Sequence, residues 1–385
     1  MSNVKIHRFY MHDTDIDLFE GQYPVPAGVT YNTSVIEADD QVVLVDTVDA
    51  RKCDAWLAEV LRYLDGRRPA FLVISHMEPD HSGSVKALCA LYPDMQLVGN
   101  AKTFSMLDQF TSETPVANPR VTVKDGESFE FGGASLKFVF APMVHWPEVM
   151  LCYQPETKTL FAADAFGRFG TANPDDAWAD EGRRYYTNIV GKYGAQVKAV
   201  LAKAKAIEIE TVCPLHGPDL SGEKLAAVLS LYEKWASYTP EDNGTLVAYA
   251  GFHGHTKEAA ELMAKTLIAL GNEVTLIDLA RTNKSYAVAA AFRHKHMVLA
   301  ATTYDGAYMP AMETFLTAIK AKNLQGRTVG LIENGTWAPM SGKHMRAVLE
   351  TMKGMDILPE MVTLRSAMTA KNREEIARMA ETLVR

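Results

Sequence analysis

A buried strand, a loop of candidate metal ligands and a helix follow one another between residues 71 and 93, and this succession limits the folds open to the chain. The run FLVIS, from Phe71 to Ser75, has the uninterrupted apolar character of a buried strand. It ends at HMEPDH, and the next segment, SGSVKALCALYP, has helical spacing behind a serine N-cap. This order predicts a rigid sheet that presents chemistry at a strand end.

The loop HMEPDH concentrates two imidazoles and two carboxylates within six residues, as His76, Glu78, Asp80 and His81. Capping of the following helix by Asp80 or Ser82 needs only one such side chain, and it leaves both histidines and Glu78 unexplained. Metal ligation accounts for all of them. The sequence therefore predicts a metal site around this loop.

Three further candidate ligands each follow a strand-like run and precede a turn: His145 in VHWPE, Asp164 in FAADAFG and His216 in PLHGP. The predicted strands nearby include QLVGN, SLKFVFA, VMLCYQ, TLFAAD and a hairpin from Tyr31 to Asp46. Taken singly, each of the three residues could instead be a surface histidine or a cap. We expect them to reach the same sheet edge as HMEPDH.

Seven nitrogen and oxygen ligands suffice for two ions if one carboxylate bridges, and Asp164 is the candidate bridge. The set combines imidazole with carboxylate and has no thiolate. This combination suits redox iron, whereas zinc hydrolases use more imidazole. Glu78 is the residue that distinguishes these alternatives.

The length of 385 residues exceeds what one hydrophobic core usually organises and predicts two domains. Hydrophobic residues make up 48% and charged residues 22% of the chain, as in ordinary globular enzymes. Turn-forming residues concentrate in SYTPEDNGT, Ser237 to Thr245, behind a helix-like LSGEKLAAVLSLYEKWA. We therefore place the domains at 1–240 and 246–385.

Strand-like runs alternate with helix-like segments beyond residue 245. The strands are TLVAYA, EVTLIDL, HMVLAATT, RTVGLIE and PEMVTL, and the helices begin near Thr256, Lys284, Pro310, Ser341 and Ala370. Repeated β/α units of this kind predict a doubly wound, five-stranded parallel sheet.

Three loops of the C-terminal half have the composition of a cofactor site. GFHGHT, Gly251 to Thr256, can bind a phosphate on backbone N–H groups, although alone it could be a plain turn capped by Thr256. ATTYDGAYMP and ENGTWAP carry Tyr304 and Trp337, which would either stack on a flat ring or pack at strand ends. Because these loops meet at the switch point of a sheet in flavodoxin order, FMN is the predicted ligand.

The net charge of -8 is spread without a long run of one sign, which argues against nucleic-acid binding. The N-terminus lacks the apolar core of a signal peptide, and no stretch approaches the roughly 18 apolar residues of a spanning helix. We therefore expect a cytoplasmic protein that does not bind a membrane. Isolated cysteines without a C-x-x-C pair fit a reducing compartment: Cys53, Cys89, Cys152 and Cys213.

The motifs H-x-E-x-D-H, H-W-P, D-A-F-G and H-G-P together resemble the flavodiiron protein family, the A-type flavoproteins. The resemblance implies that residues 1–240 form a metallo-β-lactamase-like αββα sandwich, and that Glu78 replaces a histidine of hydrolytic relatives. It also implies the iron ligands. One iron would be bound by His76, Glu78, His145 and Asp164, and the second by Asp80, His81, His216 and the shared Asp164.

Two features near these motifs are less typical of the family. The segment PDLSG after His216 is less basic and aromatic than expected, and Tyr193 is a candidate hydrogen-bond donor next to the ligands.

The C-terminal half resembles flavodoxin, and its position behind a diiron-type domain is the flavodiiron order. Gly251 departs from the flavodoxin pattern, which usually has Ser or Thr there, and a closer backbone approach is the expected compensation. By the resemblance, the FMN-binding residues would be Phe252, His253, Gly254, His255 and Thr256 at the phosphate, Thr302, Thr303, Tyr304, Asp305 and Gly306 at the ring edge, and Asn334, Gly335, Thr336 and Trp337 on the far side.

The resemblance implies an oxidoreductase with FMN and two iron ions that reduces dioxygen to water, nitric oxide to nitrous oxide, or both. Electrons would come from an external donor such as rubredoxin or a reduced deazaflavin coenzyme. The assembly would be a head-to-tail homodimer or a dimer of dimers. Two other readings stay open: a zinc hydrolase with a flavodoxin-like appendage, and a non-enzymatic flavin electron carrier or gas sensor.

Overall fold

The computed structural model describes residues 4–175 and 177–385 and divides the chain into two compact units. The first comprises Met1–Tyr186 with Ala195–Ser230, and the second comprises Thr187–Gly194 with Leu231–Arg385. The domain limits inferred from the sequence, 1–240 and 246–385, stay a prediction.

In the described part of the chain, the first unit contains two six-stranded sheets and a small hairpin. Its strands are β1 (Lys5–Asp13), β2 (Leu18–Phe19), β3 (Tyr23–Pro24), β4 (Val29–Ala38), β5 (Gln41–Val45), β6 (Phe71–Val73), β7 (Gln96–Gly99), β8 (Arg120–Thr122), β9 (Ser128–Phe131), β10 (Ala134–Phe140), β11 (Met150–Gln154), β12 (Thr159–Phe161), β13 (Thr211–Cys213) and β14 (Leu220–Ser221). One sheet has the order β1-β4-β5-β6-β7-β8 and the other β14-β13-β12-β11-β10-β9. The antiparallel pairing of β4 with β5 confirms the predicted hairpin.

The helices up to residue 236 are α1 (Cys53–Leu64), α2 (Pro79–Ser82), α3 (Val85–Leu91), α4 (Ala101–Phe110), α5 (Ala179–Ile189), α6 (Gly194–Ala204) and α7 (Gly222–Ala236). Short 3₁₀ helices span Ala50–Lys52 and Gly191–Tyr193. Apolar side chains from both sheets form one shared core, in which Val73 and Phe138 are fully buried. This core holds the two sheets face to face, as a sandwich requires.

The predicted serine cap after HMEPDH is wrong. The segment forms α2 and then α3, and Ser84 stands before α3 without a capping hydrogen bond from its side chain. Its backbone angles, φ −99° and ψ 0°, are close to helical, whereas a capping serine adopts extended angles that aim the hydroxyl at the helix N–H groups. The hydroxyl of Ser82 instead donates to the carbonyl of Met77 at 2.7 Å.

Parallel pairing brings the ligand-bearing loops to one edge of each sheet. Strands β5, β6 and β7 run parallel to one another, as do β12 and β13. The carboxyl ends of parallel neighbours lie side by side, so the loops after β6, β12 and β13 emerge at sheet edges where side chains can converge.

The second unit is a parallel sheet with helices between its strands. Its strands are β15 (Asp242–Ala250), β16 (Val274–Asp278), β17 (His294–Thr302), β18 (Thr328–Asn334) and β19 (Asp356–Leu364), and its helices are α8 (His255–Ala269), α9 (Lys284–Arg293), α10 (Pro310–Ala321), α11 (Ser341–Leu349) and α12 (Ala370–Leu383). The order β16-β15-β17-β18-β19, with every pair parallel, is the flavodoxin order. The predicted doubly wound sheet is confirmed.

Two apolar clusters pack on the parallel sheet. One contains Phe315 and Leu331, and the other contains Met263 and Ile332; all are buried. Successive residues of β18 therefore face opposite clusters, which fits a sheet covered on both sides. Within the described residues, no helix is long and apolar enough to cross a membrane.

Candidate metal centre and cofactor cleft

Loops at strand ends carry the predicted metal ligands. His76 and Glu78 follow β6, and the short helix α2 carries Asp80 and His81. Asp164 follows β12 in a turn that hydrogen bonds close. The other two predicted ligands are His145, between β10 and β11, and His216, after β13.

Three of these residues, the first ligand set, converge with Asp164: His76, Glu78 and His145. Glu78 Oε2 lies 2.9 Å from His145 Nε2 and 3.3 Å from His76 Nε2. Asp164 Oδ2 lies 3.1 Å from His145 Nε2 and 3.5 Å from His76 Nε2. Two imidazole nitrogens and two carboxylate oxygens therefore surround one point.

Three more residues, the second ligand set, converge on the other side of Asp164: Asp80, His81 and His216. Asp80 Oδ2 lies 3.3 Å from Nε2 of both His81 and His216. Asp164 Oδ1 lies 3.1 Å from His81 Nε2 and 3.6 Å from His216 Nε2. Asp164 thus turns one oxygen to each set, which is the arrangement that the bridging prediction requires.

The two ligand sets contain buried polar atoms of the kind that bind a cation. Both oxygens of Asp80 and Oδ1 of Asp164 are buried and lack a hydrogen-bond partner among the described residues. Buried carboxylate oxygens without partners are costly, and a bound cation relieves that cost. Imidazole and carboxylate donors without thiolate fit iron.

A second layer of contacts orients the ligands. Glu148, fully buried, has Oε1 at 2.7 Å from His76 Nδ1, and the same oxygen accepts the N–H of Met77 at 2.8 Å. The backbone carbonyl of Thr30 lies 2.7 Å from His216 Nδ1. Because an ionised carboxylate or a carbonyl can only accept, each ring carries its proton on Nδ1 and directs Nε2 to the centre.

Asp46 fixes the start of the HMEPDH loop. Its carboxylate accepts the backbone N–H and the hydroxyl of Ser75, at 2.7 and 2.5 Å. Burial raises the pKa of Asp46, and the bonds from Ser75 oppose that rise.

The contacts within the first ligand set shift the pKa values of its side chains. Burial lowers the pKa of His145, but contacts with Asp164 and Glu78 outweigh it and raise the value to about 9. Burial raises the pKa of Glu78, but hydrogen bonds from His145 and His76 outweigh it and lower the value to about 2. The contact between Glu78 and His145 therefore favours the charged form of both groups.

A cleft at the carboxyl edge of the parallel sheet gathers most of the predicted FMN residues. The residues lining it include Phe252, His253, His255, Thr302, Thr303, Asp305, Gly306, Asn334, Gly335, Thr336 and Trp337. Ala338, Met340 and Ser366 also line the cleft, although the sequence did not single them out. Ser366 follows β19, and its loop was not among the three predicted ones.

Three predicted FMN residues do not line the cleft. Gly254 precedes α8 with φ 92°, a left-handed conformation that favours glycine. Thr256 is buried, and Tyr304 has 46% of its surface exposed. The alternative reading of Thr256 as a helix cap is wrong, because α8 begins at His255 and no side chain caps it.

The departure at Gly251 has a steric cause. The hydroxyl of Thr256 lies 2.7 Å from that of Thr302 and accepts from Asn334 Nδ2 at 3.3 Å. A Cβ atom on Gly251 would lie 2.7 Å from the Cβ of Thr256, closer than side chains tolerate. The predicted closer backbone approach at this position stays a prediction.

The comparisons with known proteins cover both units. The family model described as ODP family beta lactamase matches residues 29–217. Diflavin flavoprotein A 1 of Synechocystis is 31% identical over 284 residues, which are 69% of this chain and 47% of that protein. Rubredoxin-oxygen oxidoreductase of Megalodesulfovibrio gigas is 26% identical over 381 residues, covering 95% of this chain and 92% of its own length.

A solved structure also matches both units. The crystal structure of the flavodiiron protein from Giardia intestinalis has a TM-score of 0.92 with 20% identity, and the match covers 98% of this chain and 94% of that one. The chain belongs to the flavodiiron protein family. Its N-terminal unit has the metallo-β-lactamase-like fold and its C-terminal unit the flavodoxin-like fold. The chain spans about half the length of the Synechocystis relative.

Within this flavodiiron chain, the orienting residues Glu148, Thr30 and Asp46 were missed from the sequence. Glu148 stands three residues after His145 and two residues before the buried strand β11, and Asp46 directly follows β5. Acids at strand ends beside a candidate ligand were the available signal. Tyr193 makes no hydrogen bond to the seven side chains among the described residues, and its role stays a prediction.

Proposed function

We propose that this chain is a diiron flavoenzyme that reduces dioxygen to water, nitric oxide to nitrous oxide, or both. The observation that carries the proposal is the carboxylate of Asp164, which turns Oδ2 to the first ligand set and Oδ1 to the second. Two ions that share one carboxylate can act together on one small molecule. The relatives named nitric oxide reductase and rubredoxin-oxygen oxidoreductase support both substrates.

The residues proposed as ligands would hold the two iron ions without any further protein group. The first set with Asp164 supplies two imidazoles and two carboxylates, and the second set with Asp164 supplies the same. Glu78 places an oxygen where an imidazole would favour a zinc hydrolase, so it favours redox iron. The alternative reading as a zinc hydrolase has no feature of the site in its favour beyond the fold.

The two metals and FMN, when bound, would supply the electrons. Each iron ion can release one electron, and a flavin accepts electrons from a donor and passes them on singly or in pairs. The chain's own part is to orient Nε2 of His76 and His216 through Glu148 and Thr30, and to bury the ligand atoms away from water.

FMN would bind in the cleft of the C-terminal unit. The N–H groups that open α8, with Gly254 in a left-handed conformation before them, face outward for a phosphate. The hydroxyl of Thr303 is already engaged, because it accepts the N–H groups of Met340 and Ser341 at 2.9 and 3.2 Å. It holds the loops after β17 and β18 together, so the cleft keeps its shape without ligand.

The electron donor and the assembly are also proposals. A rubredoxin or a reduced deazaflavin coenzyme would deliver electrons to FMN. A head-to-tail homodimer, or a dimer of dimers, would bring the FMN of one subunit to the metals of another. The names of the rubredoxin-dependent relatives support the first candidate donor. A cytoplasmic location stays a prediction.

Metal and flavin analysis of the purified chain tests the proposal first. Two iron ions and one FMN per chain are expected. The protein is then reduced without oxygen and exposed separately to dioxygen and to nitric oxide, with water or nitrous oxide as the measured product. Zinc in place of iron together with no FMN would contradict the proposal.

Glu78→Ala should remove iron from one position and abolish turnover, while FMN stays bound, because the first set loses its own carboxylate. Iron content, FMN content and gas consumption are measured together. Asp94→Ala is the control, since the Asp94 side chain is 94% exposed and its nearest cation, Arg68, is 3.9 Å away. Retained turnover in Glu78→Ala would show that the ligand set is misassigned.

A further inference from the structure

The two ligand sets differ in what stands behind their histidines. In the first set, His76 Nδ1 contacts the carboxylate of Glu148 at 2.7 Å. In the second set, His216 Nδ1 contacts the neutral carbonyl of Thr30, and His81 Nδ1 has no hydrogen-bond partner among the described residues. A histidine of the first set is therefore hydrogen-bonded to a carboxylate through its second ring nitrogen, and neither histidine of the second set is, among the described residues.

Glu148 has little else to compensate its charge. It is 1% exposed, and its Oε2 atom is buried with no hydrogen-bond partner in the described chain. Among the described residues, the Met77 N–H also donates to Oε1. Asp46 is another buried carboxylate near the ligands, and it accepts hydrogen bonds from Ser75 and from the backbone N–H of His76, not from a ligand ring.

Direct ligation does not offset this difference. Each set has two imidazoles and one carboxylate of its own, and Asp164 is shared through one oxygen each. A carboxylate that accepts the second ring N–H of a metal-bound histidine makes that ring a stronger ligand, and its loss typically weakens metal binding about 10- to 100-fold. The buried charge of Glu148 also attracts a cation directly across a low-dielectric interior.

We propose that Glu148 makes the two metal positions unequal, so that the ion in the first ligand set is held more tightly than the ion in the second. Glu148 is a positioning residue, because it acts through His76. The inference rests on the proposed two-metal function. It adds that the two ions differ in how tightly they are held.

Metal release from the purified holoprotein tests the inference. Excess chelator is added without oxygen, and loss of Fe(II) is followed as the coloured chelate. Two phases of equal amplitude are expected for the natural chain, with the slow phase at least about 10-fold slower. Glu148→Gln keeps an acceptor for His76 but removes the charge, so its slow phase should accelerate about 10- to 100-fold and merge with the fast one.

The control is Asp125→Asn, which removes a carboxylate of the same unit that pairs with Lys203 at the surface. Both release phases should be unchanged in it. His216→Ala weakens only the second set, so it should lose the fast phase and keep the slow one. This variant also decides the question if Glu148→Gln does not accumulate as folded protein.

The outcomes separate this inference from the proposed function. A holoprotein that does not contain two metal ions would contradict the proposed function. Two ions that leave in a single phase, an unchanged slow phase in Glu148→Gln, or a His216→Ala protein that has lost the slow phase would each overturn the inference and leave the proposed function standing.

Discussion

Gly251 shows how one missing side chain shapes the cleft. The space that a serine would fill is occupied by Thr256, whose hydroxyl bonds Thr302. The glycine is therefore required by the packing of its neighbours, although the flavodoxin pattern has a hydroxyl residue at that place.

Gly251→Ser should weaken FMN binding by about tenfold, because overpacking of this size costs roughly 1 to 3 kcal/mol and displaces the loop before α8. The dissociation constant is measured by quenching of FMN fluorescence on the flavin-free protein. Iron content serves as the control and should be unchanged. Tighter FMN binding in the variant would mean that a hydroxyl at this position reaches the phosphate after all.

His296 is a buried histidine of the second unit that the proposed function does not use. Its Nδ1 atom has no hydrogen-bond partner among the described residues, and burial, with the charges of Lys295 and His294, lowers its pKa to about 4. The unfolded chain takes up this proton near pH 6.5. The folded state is therefore favoured fully above pH 6.5, and that advantage is lost as the pH falls toward 4.

His296→Gln should flatten the acid side of the stability profile. Between pH 7 and pH 5 the natural chain should lose roughly 2 kcal/mol more unfolding free energy than the variant. Urea unfolding followed by the fluorescence of released FMN measures this difference. His344→Gln is the control. An equal pH slope of the unfolding free energy in His296→Gln and in the natural chain would contradict the role of His296 in the acid-side loss of stability.

At the scale of secondary-structure elements, hydrogen bonds from Arg327 link the start of β18 to neighbouring segments. Its guanidinium is 1% exposed and donates to the carbonyls of Ala291, Phe292 and Tyr238 at 2.8 to 3.0 Å. It also donates to Gln325 O at 2.8 Å. Burial lowers the pKa of Arg327 to about 10, and its hydrogen bonds within the described residues are to carbonyl groups.

Arg327→Met keeps the length of the side chain and leaves these carbonyls without a donor. We expect it to lower the unfolding free energy by at least about 3 kcal/mol. Arg346→Met is the matched control, since Arg346 donates to one carbonyl, that of Leu358, and its loss should cost about 1 kcal/mol. Similar losses of unfolding free energy in the two variants would show that the additional carbonyl contacts of Arg327 do not contribute to stability.

Most elements of the second unit were predictable, because long apolar runs between turn signals fix strands buried on both faces. The short strand β8 was missed, since its three residues contain one apolar side chain and none of them is buried. Strand β1 was also missed: its nine residues mix charged and apolar side chains, and only alternate positions near its end are buried.

The candidate site was predictable to the extent that its residues are chemically distinctive. The geometry brings the seven predicted ligand residues into two sets, and their role as ligands stays a prediction. The contacts of Thr30 and Glu148 were not predictable, because a backbone carbonyl has no signature in the sequence and a carboxylate becomes an orienting group only when the fold buries it against a ring.

At the scale of the whole molecule, the proposed head-to-tail homodimer predicts that two inactive variants can complement each other. Glu78→Ala removes a ligand of the first set, and Gly335→Val should block the cleft, since a Cβ there would lie 2.7 Å from the Cα of Pro339. Each variant alone should be inactive. If subunits exchange FMN electrons, mixing equal amounts should restore about a quarter of the natural rate, because half of the dimers are mixed and one of their two sites is complete.

Gas consumption after subunit exchange measures this recovery, and native mass spectrometry, which separates mixed from unmixed dimers by mass, confirms that exchange has occurred. Two copies of the same variant, treated in the same way, are the control. Exchange that yields no activity would contradict electron transfer between subunits, whereas activity of a strictly monomeric chain would contradict the dimer.

Trp337 gives the chain an optical label of its own. Its indole is 89% exposed beside the cleft, whereas Trp56 and Trp235 are fully buried. An indole in water emits at longer wavelengths than a buried one, and a flavin stacked on it would quench its emission. Trp146 and Trp178 are partly exposed but do not line the cleft, so the change in tryptophan emission reports, without any added dye, when the surface around the cleft is covered.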